Sequence, residues 1–218
     1  MKDYNIGMDL VNYLFNIYGY DKPIFIKDVR IGRKSKSAIR EEFYRATKNG
    51  KLERDSQGVY FIKSDKEFGN VITFEQVIAK KYIYSDDAPE GFEKLFIEGY
   101  YSGLTFQNMI HISPQVPAIL EITTNKTSSK KRFVTINGRM AIIRKSRVKI
   151  TFQNCDMLQF LEMFRLVDKD DIKENKKLLI DYIKNKQLTK AQFSEYIGLF
   201  GTDTIKKIVE GGLIHAFI

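Results

Sequence analysis

Between Lys34 and Arg54 the chain places polar groups at helical spacing: Lys34, Lys36, Ser37, Arg40, Glu41, Tyr44, Arg45 and Lys48, then Lys51 and Arg54. Guanidinium, ammonium, hydroxyl and carboxylate groups in this mixture suit two tasks. They can grip phosphate oxygens, and they can read the donor and acceptor pattern on base edges. A helix over about 35–49 turns Ser37, Arg40, Glu41, Tyr44, Arg45 and Lys48 outward, with Lys34 and Lys36 at its entry. Ile39, Phe43 and Ala46 follow the spacing of an inner face. The early residues of a helix lying in a major groove reach the bases. Lys36, Ser37, Arg40 and Glu41 are therefore candidates for base readout, with Tyr44 beside them. Arg45, Lys48, Lys51 and Arg54 are candidates for phosphate contacts, which set register and affinity without reading sequence.

The elements that must hold these groups are legible on either side. A short segment, Ile26-Lys27-Asp28-Val29, and a turn at Ile31-Gly32-Arg33 precede the helix, and Asn49-Gly50 ends it. Two short strands, 51–54 and 59–62, are expected around Asp55-Ser56-Gln57-Gly58. Helix, turn, helix and β-ribbon is the winged form of the helix-turn-helix. Residues 9–18 put Leu10, Val11, Leu14, Phe15 and Ile17 on one face and supply a support helix.

Charge agrees with an anionic partner. Residues 22–54 hold eleven Lys/Arg against four acids, a net of +7, while the whole chain carries +9. A second block, 122–155, holds nine Lys/Arg and no acid, so the remainder is acidic and the positive charge belongs to two surfaces. Lys130, Lys131, Arg132, Arg144, Arg147 and Lys149 are the candidates there for extending a DNA footprint. In a regular strand Lys145, Arg147 and Lys149 share one side and Arg144 points away, so a single flat stripe needs a bulge or a hairpin.

Elsewhere a polar stretch at 64–70 reads as a linker, and Thr73 with Gln76 forms a capping box at a helix start. Strands are expected at 118–124, at 132–136 and 139–144 around Asn137-Gly138, and at 148–152. Helices follow at 156–167, 172–186, 189–199 and 202–210, the last ended by Gly211-Gly212. The expected fold is α+β: an N-terminal winged helix-turn-helix domain, 1–66, then a larger mixed α+β domain, 67–218, with antiparallel strands and a helical C-terminal part.

Catalytic chemistry is hard to assemble from this chain. One cysteine, Cys155, excludes an internal disulfide and a cysteine-rich zinc site, and His111 and His215 alone would need carboxylates to complete a metal site. Gly32-Arg33-Lys34-Ser35 lacks the second glycine and preceding strand of a phosphate-binding loop. Glu121-Ile122-Thr123 lacks the lysine and partner acid of a nuclease strand and reads as strand-edge surface. His111 and Cys155 read as packing or surface residues. No catalytic residue, metal or cofactor is expected, and the chain is not expected to be an enzyme. No run of about 18 apolar residues is present, and Met1-Lys2-Asp3 does not open a signal sequence; the expectation is a cytoplasmic protein without a membrane partner. The alternative classes are a nuclease-like enzyme in the second domain and a regulator whose 126–149 surface binds RNA or protein.

Three segments together resemble the AbiEi-type antitoxins and transcriptional regulators of type IV toxin–antitoxin (abortive infection) systems. They are Gly50-Lys51-Leu52-Glu53-Arg54 with Gly58-Val59-Tyr60-Phe61-Ile62; Gly99-Tyr100-Tyr101-Ser102-Gly103-Leu104-Thr105 continuing to Gln115-Val116-Pro117; and Glu121-Ile122-Thr123-Thr124-Asn125-Lys126 with the Gly138-Arg139 hairpin, through Arg144 and Arg147. The similarity spans about 8–167, and its middle segment is the most specific. It implies an autorepressor that binds double-stranded DNA at its own operator through the winged helix. It also implies a functional link to a nucleotidyltransferase-like toxin, opposed without a stable complex. The toxin signature, Gly-Ser followed by an Asp-x-Asp pair, is absent from this chain. The expectation leaves room for a monomer in solution with several copies on the operator.

Overall fold

A computed structural model describes residues 9–64, 72–88, 92–136 and 138–218, in two units. The first comprises the described residues up to Lys81 with Ile136 and Gly138, the second the remainder. Apart from Ser64, the expected linker lies outside the described residues.

In the first unit, Leu10 and Leu14 of α1 (Leu10–Tyr18) are buried, whereas Phe15, placed on the inner face by periodicity, is 41% exposed. Its ring meets Tyr20 at 4.6 Å instead of the core. Strand β1 (Ile24–Phe25) follows, then α2 (Lys36–Lys48), β2 (Glu53–Ser56), β3 (Val59–Phe61) and α3 (Phe74–Tyr82). The short segment 26–29 expected before the turn at 31–33 forms a single turn, with the Asp28 N–H bonding the Phe25 carbonyl at 2.9 Å. Ile24 and Phe25 are drawn into antiparallel pairing with β3, and Val29 and Ile31 enter the core, which leaves no length for a longer helix.

Ser35 starts α2, its hydroxyl accepting the Ala38 N–H at 3.2 Å. Gly50, at φ +69°, turns the chain so that the Lys51 N–H returns to the Ala46 carbonyl at 2.9 Å. Lys51 and buried Leu52 thus belong to the end of the helix, and β2 begins two residues later than expected. A bulge between Arg54 and Ser56 and the turn at Gly58, φ +78°, complete a three-stranded antiparallel sheet in the order β1-β3-β2. One cluster joins Leu10, Leu14, Ile24, Ile39, Phe43 and Leu52; another joins Phe25, Val59 and Phe61 to Ile72 and Val77 at α3. The capping box is present: Gln76 Oε1 accepts the Thr73 N–H at 2.7 Å and Thr73 Oγ1 accepts the Gln76 N–H at 3.2 Å.

The second unit holds β4 (Gly99–Tyr101), α4 (Gly103–Met109), β5 (Leu120–Thr124), β6 (Lys131–Ile136) and β7 (Arg139–Lys145). Five helices follow: α5 (Cys155–Met163), α6 (Lys169–Glu174), α7 (Lys176–Asn185), α8 (Lys190–Tyr196) and α9 (Thr202–Glu210). The sheet order is β4-β5-β7-β6, antiparallel between β4 and β5 but parallel between β5 and β7, because the hairpin returns its second strand beside β5. The hairpin glycine, Gly138, has φ +73°, while Asn137 lies outside the described residues. Residues 148–152 form no strand. Asn125 holds both polar groups of Ile150, and Asn154 Oδ1 takes the Thr151 N–H, so side chains replace a ladder. The helix expected over 172–186 is two helices, divided at Asn175, whose amide bonds the Asp171 carbonyl. Residues beyond 168 are integral to the unit: Leu179, Ile183, Phe193, Ile208, Leu213 and Phe217 share one core with α5 around Phe160.

Candidate nucleic-acid interface

Helix α2 buries Ile39, Phe43 and Ala46 and exposes Lys36, Ser37, Arg40, Glu41, Tyr44, Arg45 and Lys48. Within that face the side chains divide into two sets. Arg45 bonds Glu41 at 3.0 Å, Lys34 bonds Glu42 at 2.5 Å, Lys51 bonds Asp9 at 3.0 Å, and Ser37 shares a hydrogen bond with Ser35 at 2.9 Å. Lys36, Arg40, Tyr44 and Lys48 form no hydrogen bond or ion pair among the described residues. These four recur every fourth residue, so they make one slanting stripe of donors down the exposed helix. Tyr44 is 62% exposed in the middle of it.

At the start of α2 lies a cleft of about 120 Å³ with an apolar floor of Ile26, Val29 and Ile39 and a rim of Lys27, Arg30, Lys36 and Arg40. Arg30 is fixed there by the carbonyls of Lys27, at 2.5 Å, and Val29, at 3.0 Å. Such a volume with four cations around it suits a single phosphate group better than an organic substrate. On the ribbon, Arg54 is exposed and its Nε bonds the Ser56 carbonyl at 3.3 Å, which anchors it across the bulge.

The second basic block is not one surface. Arg144 Nε bonds Glu121 Oε1 at 2.5 Å, and Arg165 bonds the same oxygen at 2.6 Å. Arg144, expected among the DNA contacts, is therefore held in an internal ion pair and leaves the outer face. Glu121 was expected at a strand edge, yet β5 is an interior strand and the residue is 8% exposed. Lys126 likewise turns inward, bonding the Tyr84 carbonyl at 2.6 Å and Asp86 at 2.7 Å. Arg132 lies over the Tyr82 ring and Arg147 over Phe200. Lys130, Lys131 and Lys149 are exposed.

Around Glu121 runs a buried polar network that periodicity did not reveal. Ser102 N–H bonds the Glu121 carbonyl at 2.8 Å, and Thr105 Oγ1 accepts the Glu121 N–H at 2.9 Å. Tyr100 donates to Glu162 at 2.8 Å, and the Thr123 hydroxyl lies 3.1 Å from Ser102 Oγ and 3.2 Å from Glu162. Gly103 sits at φ +59°, where an added Cβ would stand 2.9 Å from the Glu121 carboxylate. The 99–105 segment is thereby accounted for as architecture. Its one signal in the sequence was the run of small and hydroxylic residues opposite a strand that carries Glu121.

Cys155 is buried, and burial above all pushes its thiol up to about 12, so it is no nucleophile at neutral pH. His111 is exposed at φ +62°, just past α4. Among the described residues no group of three His, Cys, Asp or Glu could hold a metal ion, and no helix is long and apolar enough to cross a membrane. No family model matches this chain, and no curated protein or solved structure matches it.

Proposed function

We propose that the chain is a DNA-binding autorepressor of the AbiEi antitoxin type, with its first unit acting as a winged helix-turn-helix. The observation that carries this reading is the stripe Lys36-Arg40-Tyr44-Lys48, exposed and uncommitted on a helix braced by a β-ribbon. Arg45, Lys34 and Lys51, by contrast, are paired with acids. Donors left open along one line suit a ligand with regularly spaced acceptors, which duplex DNA supplies. In this reading Arg40 and Lys36 reach base edges, and Arg54 contacts phosphate from the wing.

The second unit is assigned the antitoxin role, without catalysis and without a stable complex with a nucleotidyltransferase-like toxin. Its buried carboxylates support the non-catalytic part of this assignment. Glu121 is held between two arginines and Glu162 between hydroxyls, so neither is poised for a metal or a proton transfer. Binding to the DNA upstream of its own gene tests the proposal, with the Lys36→Ala/Arg40→Ala pair as the control that should lose the specific complex.

A further inference from the structure

We propose that the β6–β7 ribbon of the second unit binds single-stranded nucleic acid, with Phe133 as the platform on which a base stacks. The Lys145 N–H bonds the Lys130 carbonyl at 3.3 Å, and Ile136 ends β6 three positions before Arg139 opens β7. This register places Phe133 opposite Ile142, Thr135 opposite Met140 and Lys131 opposite Arg144, all on one face. On that face Phe133 is 58% exposed and Met140 41% exposed. The Lys131 ammonium stands 5.1 Å from the centroid of the Phe133 ring. Every residue of β6 is exposed or half-buried, and the strand is an outer edge of the sheet.

Lysines on an edge strand have an ordinary use, since they discourage pairing with another sheet. That use explains Lys130 and Lys131 but not an exposed phenyl ring in the middle of the strand, which invites association. The surroundings decide what kind. The ribbon and its ends carry exposed Lys130, Lys131, Arg139 and Lys145 and no acid, so its complement is an anion. An exposed ring beside a cation can stack on a base while the ammonium group meets a neighbouring phosphate. Duplex DNA keeps its base faces stacked within the helix, whereas an unpaired strand presents them. The inference stands on the second unit alone and does not depend on the assignment of α2.

The test is equilibrium binding of the full chain, by fluorescence anisotropy at low salt, to labelled oligo-dT and oligo-U of about 12 nucleotides and to a duplex of equal length. Phe133→Ala should weaken binding to the single strands roughly five- to 150-fold, while Phe133→Trp should retain it and duplex binding should be unchanged. The ring is exposed, so both variants should fold as the parent does. Absence of single-strand binding, or binding that Phe133→Ala leaves intact, would overturn the proposal. So would an equal loss on duplex, or self-association through the β6 edge that Thr135→Pro abolishes while no strand is bound. If single strands bind through Phe133 and upstream duplex DNA does not bind, this inference stands and the autorepressor reading fails.

Discussion

Arg40 and Lys48 lie on one stripe of α2, yet their chemistry assigns them different work. A guanidinium near the helix start can bond a guanine edge with two donors, while an ammonium in the last turn makes a point contact with phosphate. Arg40→Ala should cost about 1–3 kcal/mol on operator DNA and little on unrelated DNA. Lys48→Ala should weaken both alike and make the dependence of log K on log salt shallower by about 0.9. Titrations of both variants on both DNAs at several salt concentrations measure this, and equal losses for Arg40→Ala would make it a phosphate contact. In the second unit the decisive residue is Glu121. Glu121→Gln leaves Arg144 and Arg165, both partly buried, without their shared anion. The loss should be about 3 kcal/mol in urea-induced unfolding; an unchanged midpoint would remove Glu121 from the stabilising network.

Helix α2 was readable because its cap, inner face and terminal glycine are encoded within a single stretch of chain. The same holds for the capping box at Thr73 and for α9 up to Gly211-Gly212. What was not readable depends on partners distant in sequence. Strand β4, helix α4 and the Glu121 and Glu162 network rest on contacts between residues up to 62 positions apart, as from Tyr100 to Glu162. The inward turn of Arg144 depends on Arg165 and Glu121 in the same way. The basic side of α2 was therefore legible, and the division of its cations into paired and open sets was not. At the element scale, the packing of α5 on β4 and α7 gives a pH dependence. Tyr100, Tyr182 and Cys155 all hold their protons above the ordinary range, chiefly because burial penalises the anion. Unfolded phenols and thiols deprotonate from about pH 8.5 to 10, while the folded groups do not, so the folded state then binds more protons and stability falls as pH rises. Thermal melts should hold steady toward neutrality and drop steeply from about pH 9 upward. The Tyr182 hydroxyl is buried without a hydrogen-bond partner among the described residues, and its ring stacks on Phe160 at 5.6 Å. Tyr182→Phe should keep the stacking, leave stability equal or raise it by about 1 kcal/mol, and soften the alkaline drop.

Each of the two units carries exposed cations, and the tasks proposed for the two are separable. Changing Lys130, Lys131 and Lys149 together to Ala in the full chain should leave operator specificity intact. If those residues contact phosphates of the same duplex, the salt slope should become shallower by roughly 2.7; an unchanged slope would assign that surface to another ligand. Antitoxicity, read as growth rescue from an unrelated promoter, should survive loss of operator binding if it resides in the second unit. Loss of both together would place the winged helix on the toxin's nucleic-acid target instead. All of this rests on α2 reading DNA, and one measurement meets that claim most directly. A gel-shift titration sets the DNA upstream of the gene against a scrambled duplex of equal length. It compares the parent chain with the Lys36→Ala/Arg40→Ala variant, with circular dichroism confirming that both fold. The parent should prefer the upstream DNA, and the variant should lose that preference while keeping weak, salt-sensitive binding to either duplex. Equal binding of the parent to both duplexes, or a variant that retains the preference, would contradict it.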